Sequence, residues 1–342
     1  MEDTIIPTTQ VKAKLFAVVL GGTEGLLKVE LGNGFRFDKV NIVNSSFKDK
    51  FLNAQGYATG KYCFCQIPPI SDKEINFICL VKEDEISCSV SAFTISEMQS
   101  QEIFHSTMEM WQKKQEDYIR EILKYLRIYK DGNIEISSTC YSYSGKYLIN
   151  QQNYNAEVQH IDAGNVINDF YILTDTEATE LNSIMRNESY KTELFNNVID
   201  KFELGCKVFR DEIAFKELIT VGEVLFLNYN SSDNDAKKEK LSNRLAVWIA
   251  IVPSEVQIIH DDIIDFYKYR SNDTHEAENT DITLVNRKKL REYMRRALKK
   301  YIDRIDRERS LNTSLTFDNI RRIIVLEIIT SVTNYKSTGI LS

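Results

Sequence analysis

After Asp175 nothing in the chain reads as a strand, and apolar residues keep a 3.6-residue period through about 160 residues broken only by short polar gaps. A stretch that long can bury its apolar stripes only by packing helix on helix, so it predicts an all-α bundle. The period places helices at roughly 176–187, 191–229, 237–252, 255–271, 285–308 and 316–335. The clearest loops are Asn230 to Asp235 and Asn272 to Asp281, runs of Asn, Asp and Ser that favour turns.

The first ninety or so residues behave differently. Val11 to Leu20, Leu26 to Leu31, Phe35 to Val43, Lys61 to Gln66, Ile75 to Lys82 and Ile86 to Ala92 alternate as half-buried strands do. Gly21 to Gly25 and Gly32-Asn33-Gly34 fall between them as hairpin turns, which predicts an antiparallel sheet. A glycine cluster after a strand also invites a phosphate-loop reading. The residues after Gly25 read as a strand, however, and not as the helix whose N-terminus would hold the phosphate. From Ser96 to about Lys130 the period turns helical, and Asp131-Gly132-Asn133 stops the run. A second β-rich stretch spans Ile134 to Leu173, and Thr174 to Glu177 is an N-cap signal. The expected class is α+β, with a β-rich sensor or regulatory domain carrying a long helix over 1–175 and an all-α bundle over 176–342.

The net charge of −7 argues against a protein coated all over by nucleic acid, while leaving room for a local basic face. No stretch approaches the ~18 apolar residues of a membrane span. The start, Met1-Glu2-Asp3, is acidic, so a cytoplasmic protein is expected. The six cysteines read as reduced thiols; Cys63 and Cys65 lack a second ligand pair at zinc spacing, so neither metal nor cofactor is expected.

The chemistry concentrates where Phe266-Tyr267-Lys268-Tyr269-Arg270-Ser271 ends a helix and His275 comes next in a polar loop. Metal-independent RNA cleavage asks for that pairing. A ribose 2′-hydroxyl must lose a proton to attack phosphorus, the leaving oxygen must gain one, and the five-coordinate intermediate carries extra negative charge. Histidine titrates near neutrality and moves the proton; a guanidinium stays charged and forks onto phosphate oxygens. The competing reading pairs Arg270 with nearby acids (Asp261, Asp262, Asp265, Glu276, Glu278) and leaves His275 as a loop residue. His105, His160 and His260 have no neighbour in sequence that makes a site.

Three segments in order resemble the HEPN superfamily (higher eukaryotes and prokaryotes nucleotide-binding), and within it the ApeA-like branch. Tyr267, two residues, Arg270-Ser271, three residues and His275 look like that branch's motif. Glu217 to Phe226, with Glu223 just before Leu225-Phe226, is similar to its earlier helix, and Lys240 to Trp248 to its Leu-Ser, Arg-Leu-Ala helix. The resemblance covers about residues 192–310. It implies a helical bundle that dimerises so that two Arg-His motifs share one cleft, and an endoribonuclease leaving 2′,3′-cyclic phosphate ends. It also implies a role as a dormant toxin-like effector of anti-phage defence by abortive infection, released by a phage or host trigger. Arg270 would clamp phosphate, His275 would act as general acid or base, and Glu223 would orient one of them. A glycine often comes after the histidine in that branch; this chain has Glu276 there and Glu278 beyond, which repel a phosphate. The superfamily also contains non-catalytic members, so a module that binds RNA or a partner protein stays open.

Arg287 to Arg309 holds eleven Lys or Arg against four Asp or Glu, a local charge of +7 in a chain of −7. Leu290, Tyr293, Met294, Ala297, Leu298, Tyr301, Ile302 and Ile305 form its apolar stripe, so the cations are expected to point outward. Either they form a solvated face laced with salt bridges, or Arg287, Lys288, Lys289, Arg291, Arg295, Arg296 and Lys299 track an RNA backbone.

Overall fold

The computed structural model describes residues 8–41, 76–89, 97–145, 170–186, 193–207, 211–227, 236–273 and 283–341. It has an antiparallel sheet near the N-terminus and a helical C-terminal region, an α+β arrangement that divides into two compact units. One unit comprises 1–126 and 131–186, the other 127–130 and 187–342. The expected cut after Asp175 lies upstream of the one between the compact units, because the helix Asp175–Arg186 belongs with the strands. It buries Ala178 and Leu181, and Asn182 Oδ1 accepts from Glu30 N–H at 2.7 Å.

In the first unit the strands β1 (Thr8–Leu20), β2 (Arg36–Asn41), β3 (Asn76–Ser89) and β4 (Glu135–Gly145) line up as β2-β3-β1-β4, every pair antiparallel. The two runs expected at 75–82 and 86–92 are a single strand; polar Glu83, Asp84 and Glu85 face Lys14, Ala13 and Lys12 across the ladder instead of interrupting it. The strand expected at 26–31 is a 3-10 helix, Glu24–Lys28, five residues long. Asn33 and Gly34, with φ of 57° and 75°, make the expected tight turn, and Phe35 N–H donates to Gly32 C=O at 3.2 Å. The strand expected at Lys61–Gln66, with Cys63 and Cys65, lies outside the described residues.

The helix α1 (Glu97–Tyr129) covers one face of this sheet. Val11, Ala13, Leu15 and Ala17 alternate into one buried face, as a period of two requires; Ala13 and Leu15 lie opposite Tyr143 and Tyr141 of β4, and Phe104, Met108 and Trp111 of α1 are buried as well. Trp111 packs edge-on against Tyr141 and Tyr143 at 5.9 and 6.0 Å and donates its Nε1–H to Asp84 at 2.8 Å, so the indole is satisfied while buried. The N-cap signal at Thr174 is a full capping box opening α2 (Asp175–Arg186): Glu177 N–H donates to Thr174 Oγ1, and Thr174 N–H to Glu177 Oε2.

The second unit contains α3 (Glu193–Lys207), α4 (Asp211–Phe226), α5 (Lys237–Ile249), α6 (Pro253–Asp273), α7 (Leu284–Leu311) and α8 (Phe317–Thr338), together with the last turn of α1. The single helix expected at 191–229 is two, α3 and α4, lying antiparallel. Val208 to Arg210, between them, holds no Gly or Pro to mark the break. Gly205 is the residue that fits the two side by side, since a Cβ there would stand 2.6 Å from Leu218, and Lys201 reaches Glu217 across the pair.

α4 is the most enclosed helix of the unit, with Ala214, Phe215, Leu218, Ile219, Val221, Gly222, Leu225 and Phe226 all buried. Its C-terminal carbonyls therefore end away from bulk water, where an unmet acceptor costs roughly 1–3 kcal/mol. Each finds a donor. Arg321 gives Nη1 to Val224 C=O at 2.7 Å and to Leu227 C=O at 3.0 Å, Tyr301 gives its hydroxyl to Leu225 C=O at 2.6 Å, and Arg244 gives Nη1 to Phe226 C=O at 2.7 Å. Burial pushes the Tyr301 phenol far up, so it remains a donor throughout the accessible pH range.

Arg321→Met keeps the aliphatic stem and strands two carbonyls; the expected loss is about 3 kcal/mol. Tyr301→Phe strands one and should lose about 1 to 2 kcal/mol. Both are read as a drop in urea midpoint at unchanged slope. A midpoint unchanged in Arg321→Met would show that the end of α4 draws its donors elsewhere.

Candidate functional site

Glu223 lies in the last turn of α4, half-buried, and Tyr267 lies in the C-terminal half of α6. The Tyr267 hydroxyl donates to Glu223 Oε1 at 2.9 Å, across 44 residues of sequence. Two of the three segments singled out in the sequence are thereby brought side by side. The backbones behind them are held by rings: Phe215 of α4 packs edge-on against Phe266 at 5.2 Å and lies 6.4 Å from Tyr269, while Phe266 and Tyr269 are 6.3 Å apart.

Arg270 occupies the next position of α6 on the Tyr267 face, three residues on, and the helix continues to Asp273 instead of ending at 271. The Arg270 side chain, His275, Glu276 and Glu278 lie outside the described residues. The helix acids named as alternative partners of Arg270 are engaged by other groups. Asp261 accepts from Gln257 at 2.8 Å and sits 3.0 Å from His260 Nδ1, contacts that hold its carboxyl below the usual range, His260 foremost. Asp262 takes Lys289 at 2.7 Å and the Tyr293 hydroxyl. Asp265 takes Lys268 at 2.8 Å, which raises the Lys268 ammonium. His260, which has no site-forming neighbour in sequence, stands between Asp261 and Glu239, the latter 3.4 Å from Nε2. No group of three His, Cys, Asp or Glu able to hold a metal occurs among the described residues.

The basic helix α7 departs most from expectation. Arg287, Arg291 and Arg295 do not face outward: they retain 4%, 7% and 4% exposure. Arg287 donates Nη2 to Gly205 and Cys206 C=O, both at 3.2 Å, at the end of α3, and pairs through Nη1 with Asp211 at the start of α4 at 2.8 Å. Arg295 donates Nε to Arg127 C=O at 2.9 Å in the last turn of α1, lies 5.9 Å from the Phe202 ring and pairs with Glu292. Lys299 donates to Tyr129 C=O of the same turn and stacks over the Tyr129 ring at 4.6 Å. Arg296 donates to Ile249 C=O at the end of α5 and pairs with Glu255 at 3.0 Å. Lys300 donates to Trp248 C=O beside it at 2.7 Å. Lys289 is tied to Asp262, Lys288 is half-buried, and Arg304 bridges Glu308 and Glu327.

One cause unites the backbone contacts of Arg287, Arg295, Arg296, Lys299 and Lys300. A helix C-terminus carries unpaired carbonyls and about half a negative charge, and cations placed there supply both donors and the matching sign. The ends of α1, α3 and α5 abut α7, and its cations meet them. The apolar stripe could not reveal this, because periodicity counts which positions are apolar and is blind to carbonyls contributed by other helices. Guanidinium groups bound below the surface, such as Arg287 and Arg295, are withheld from a polynucleotide. Tyr267 is the residue whose partner sequence reasoning missed; it was legible only as part of the motif.

Comparison of the chain with family models, with curated proteins and with solved structures returns no match.

Arg287→Met and Arg295→Met should each lower stability by about 2 kcal/mol, the range for a buried charged hydrogen bond, and leave the salt dependence of any RNA binding unchanged. A variant that is fully stable but loses about one unit of salt slope would return these groups to a phosphate-tracking role. On the same helix, burial and the like charge of Asp303 push the Asp306 carboxyl up to about 6. The folded chain then holds a proton that the unfolded chain, at an ordinary carboxyl value of about 3.9, has released, so this group lowers stability as pH rises from about 4 to 6. Asp306→Asn should match the parent near pH 4 and melt higher above pH 6. A melting difference independent of pH would show that Asp306 does not titrate in that window.

Proposed function

We propose that the helical unit is a HEPN-like, metal-independent endoribonuclease. Arg270 and His275 act on an RNA backbone, and two chains form a homodimer whose motifs share a cleft. In the reaction the ribose 2′-oxygen bonds to phosphorus, the bond from phosphorus to the 5′-oxygen breaks, one proton leaves the 2′-hydroxyl and another reaches the departing oxygen. His275 carries proton transfer, Arg270 stabilises the added negative charge, and the fragment ends as a 2′,3′-cyclic phosphate. Neither water nor metal is consumed, and no cofactor is required.

The observation that carries this reading is the Tyr267 to Glu223 hydrogen bond. It supports the resemblance because the two segments with the motif's residues, 44 positions apart, are neighbours on adjoining helices. A cytoplasmic effector of anti-phage defence, dormant until a phage or host trigger acts, is the setting the resemblance favours. No helix among the described residues is long and apolar enough to cross a membrane.

The acids after His275, Glu276 and Glu278, favour a second reading: a non-catalytic module of the same kind that binds RNA or a partner protein, its site weakened toward phosphate by like charge. Incubation of the purified chain with RNA in excess EDTA separates the two. The nuclease reading expects fragments with 2′,3′-cyclic ends and a loss of at least about a hundredfold in Arg270→Ala and in His275→Ala, in line with the share of a general acid-base group. Binding without turnover, unchanged in His275→Ala, would leave the module.

A further inference from the structure

We infer that the last turn of α1, residues 127–130, makes the two compact units open as one, so that a change which loosens the sheet loosens the helical bundle equally. The inference is independent of the nuclease reading. α1 starts in the first unit, yet Arg127 to Lys130 belong to the second, and from Asp131 the chain is back in the first. Both ends of this excursion are held there. Before it, the buried Tyr171 donates its hydroxyl to Leu126 C=O at 2.7 Å. After it, Gly132 turns the chain with φ of 134°, where a Cβ would stand 2.8 Å from Tyr171 Cα, and Asn133 bridges to Phe170. The four residues between are built into the bundle. Arg127 pairs with Glu203 of α3 at 2.7 Å, the side chains 6% and 12% exposed, and Glu203 also takes Lys207. Arg295 of α7 donates to Arg127 C=O at 2.9 Å, Lys299 donates to Tyr129 C=O, and Ile128 and Tyr129 are buried.

A helix cannot satisfy its own last carbonyls, so the end of α1 draws on donors from outside. The carbonyl of Leu126 takes one from the first unit, and those of Arg127 and Tyr129 take theirs from the second. Opening of the bundle alone withdraws Arg295, Lys299 and Glu203 from a turn that the first unit still holds in place, and breaking one side of a buried ion pair is among the costlier losses in a protein. Opening of the sheet alone unwinds α1 from its start, and a last turn without the turns before it is no longer a helix. Either partial opening therefore forfeits the bonds of 127–130 while the other unit remains ordered. Joint opening forfeits them once and releases both units, which makes it the favoured open state.

The test is native-state hydrogen exchange of the full chain, read by mass spectrometry on the slowest amides of β1 and β3 and of α3 and α7. Leu15, fully buried in β1, and Leu218, fully buried in α4, supply one perturbation in each unit. Leu15→Ala is expected to lower protection in β1 and β3 by about thirtyfold or more, and in α3 and α7 by the same factor. Leu15→Val, which keeps the chain folded if the alanine variant does not, should lower both sets by about fivefold. Leu218→Ala should do the same in reverse, since coupling between two equilibria is reciprocal. A loss confined to the unit that carries the substitution overturns the inference. In an Arg127→Met, Arg295→Met background, the effect of Leu15→Val on α3 and α7 should shrink or vanish while its effect on β1 and β3 persists. Full transmission in that background overturns the assignment of the coupling to this turn. RNA cleavage enters none of these readings, so the nuclease proposal stands or falls separately.

Discussion

The helical unit depends on how the C-terminal end of α4 is closed. This helix is buried along most of its length, so its last carbonyls cannot turn to water. Two guanidinium groups and one phenol, from α5, α7 and α8, meet Val224 to Leu227. Each donor is itself largely enclosed, which means that donors and acceptors lose their hydration together and only their mutual bonds restore the balance. Three helices are located by one end, and Glu223, in the same turn, inherits that rigidity.

The same physics explains an unusual charge distribution. Eleven cations in 23 residues of an acidic protein suggest a surface for a polyanion. In the folded unit several of these cations meet the protein's own backbone instead: the carbonyl ends of α1, α3 and α5 arrive along α7, each with its partial negative charge, and Arg287, Arg295, Arg296, Lys299 and Lys300 meet them. Arginine suits this task because a planar fork reaches two carbonyls or a carbonyl and a carboxylate at once, as Arg287 and Arg296 do. Ion pairs of Arg287, Lys289, Arg296 and Arg304 with Asp211, Asp262, Glu255 and Glu327 offset part of the local positive charge.

The candidate site grows out of this frame. α4 contributes Glu223 from a locked end, α6 contributes Tyr267 and the backbone position of Arg270, and the Phe215, Phe266 and Tyr269 rings keep the two helices in register. The acids of α6, Asp261, Asp262 and Asp265, are each engaged by lysine, tyrosine, glutamine or histidine groups. The described part of the site is thus a half-buried carboxylate on α4 that accepts from a phenol on α6, one helical turn before position 270.

By itself the sequence determined the α+β class, the hairpin turn at Asn33-Gly34, the long α1, the capping box at Thr174 and nearly every helix of the second unit, since these arise from period and local hydrogen bonding within a few residues. It also marked Glu223, Tyr267, Arg270 and His275 as the residues to watch. Tertiary structure alone decided that 191–229 is two helices, that Glu24–Lys28 is a 3-10 turn, that α7 buries Arg287, Arg291 and Arg295 and that Tyr267 meets Glu223. Each of these depends on a partner remote in the chain: Leu218 against Gly205, carbonyls at the ends of other helices, a hydroxyl 44 residues from its acceptor. A one-dimensional pattern records which side chains are apolar or charged, but the free energy of a buried charge is set by what faces it in space.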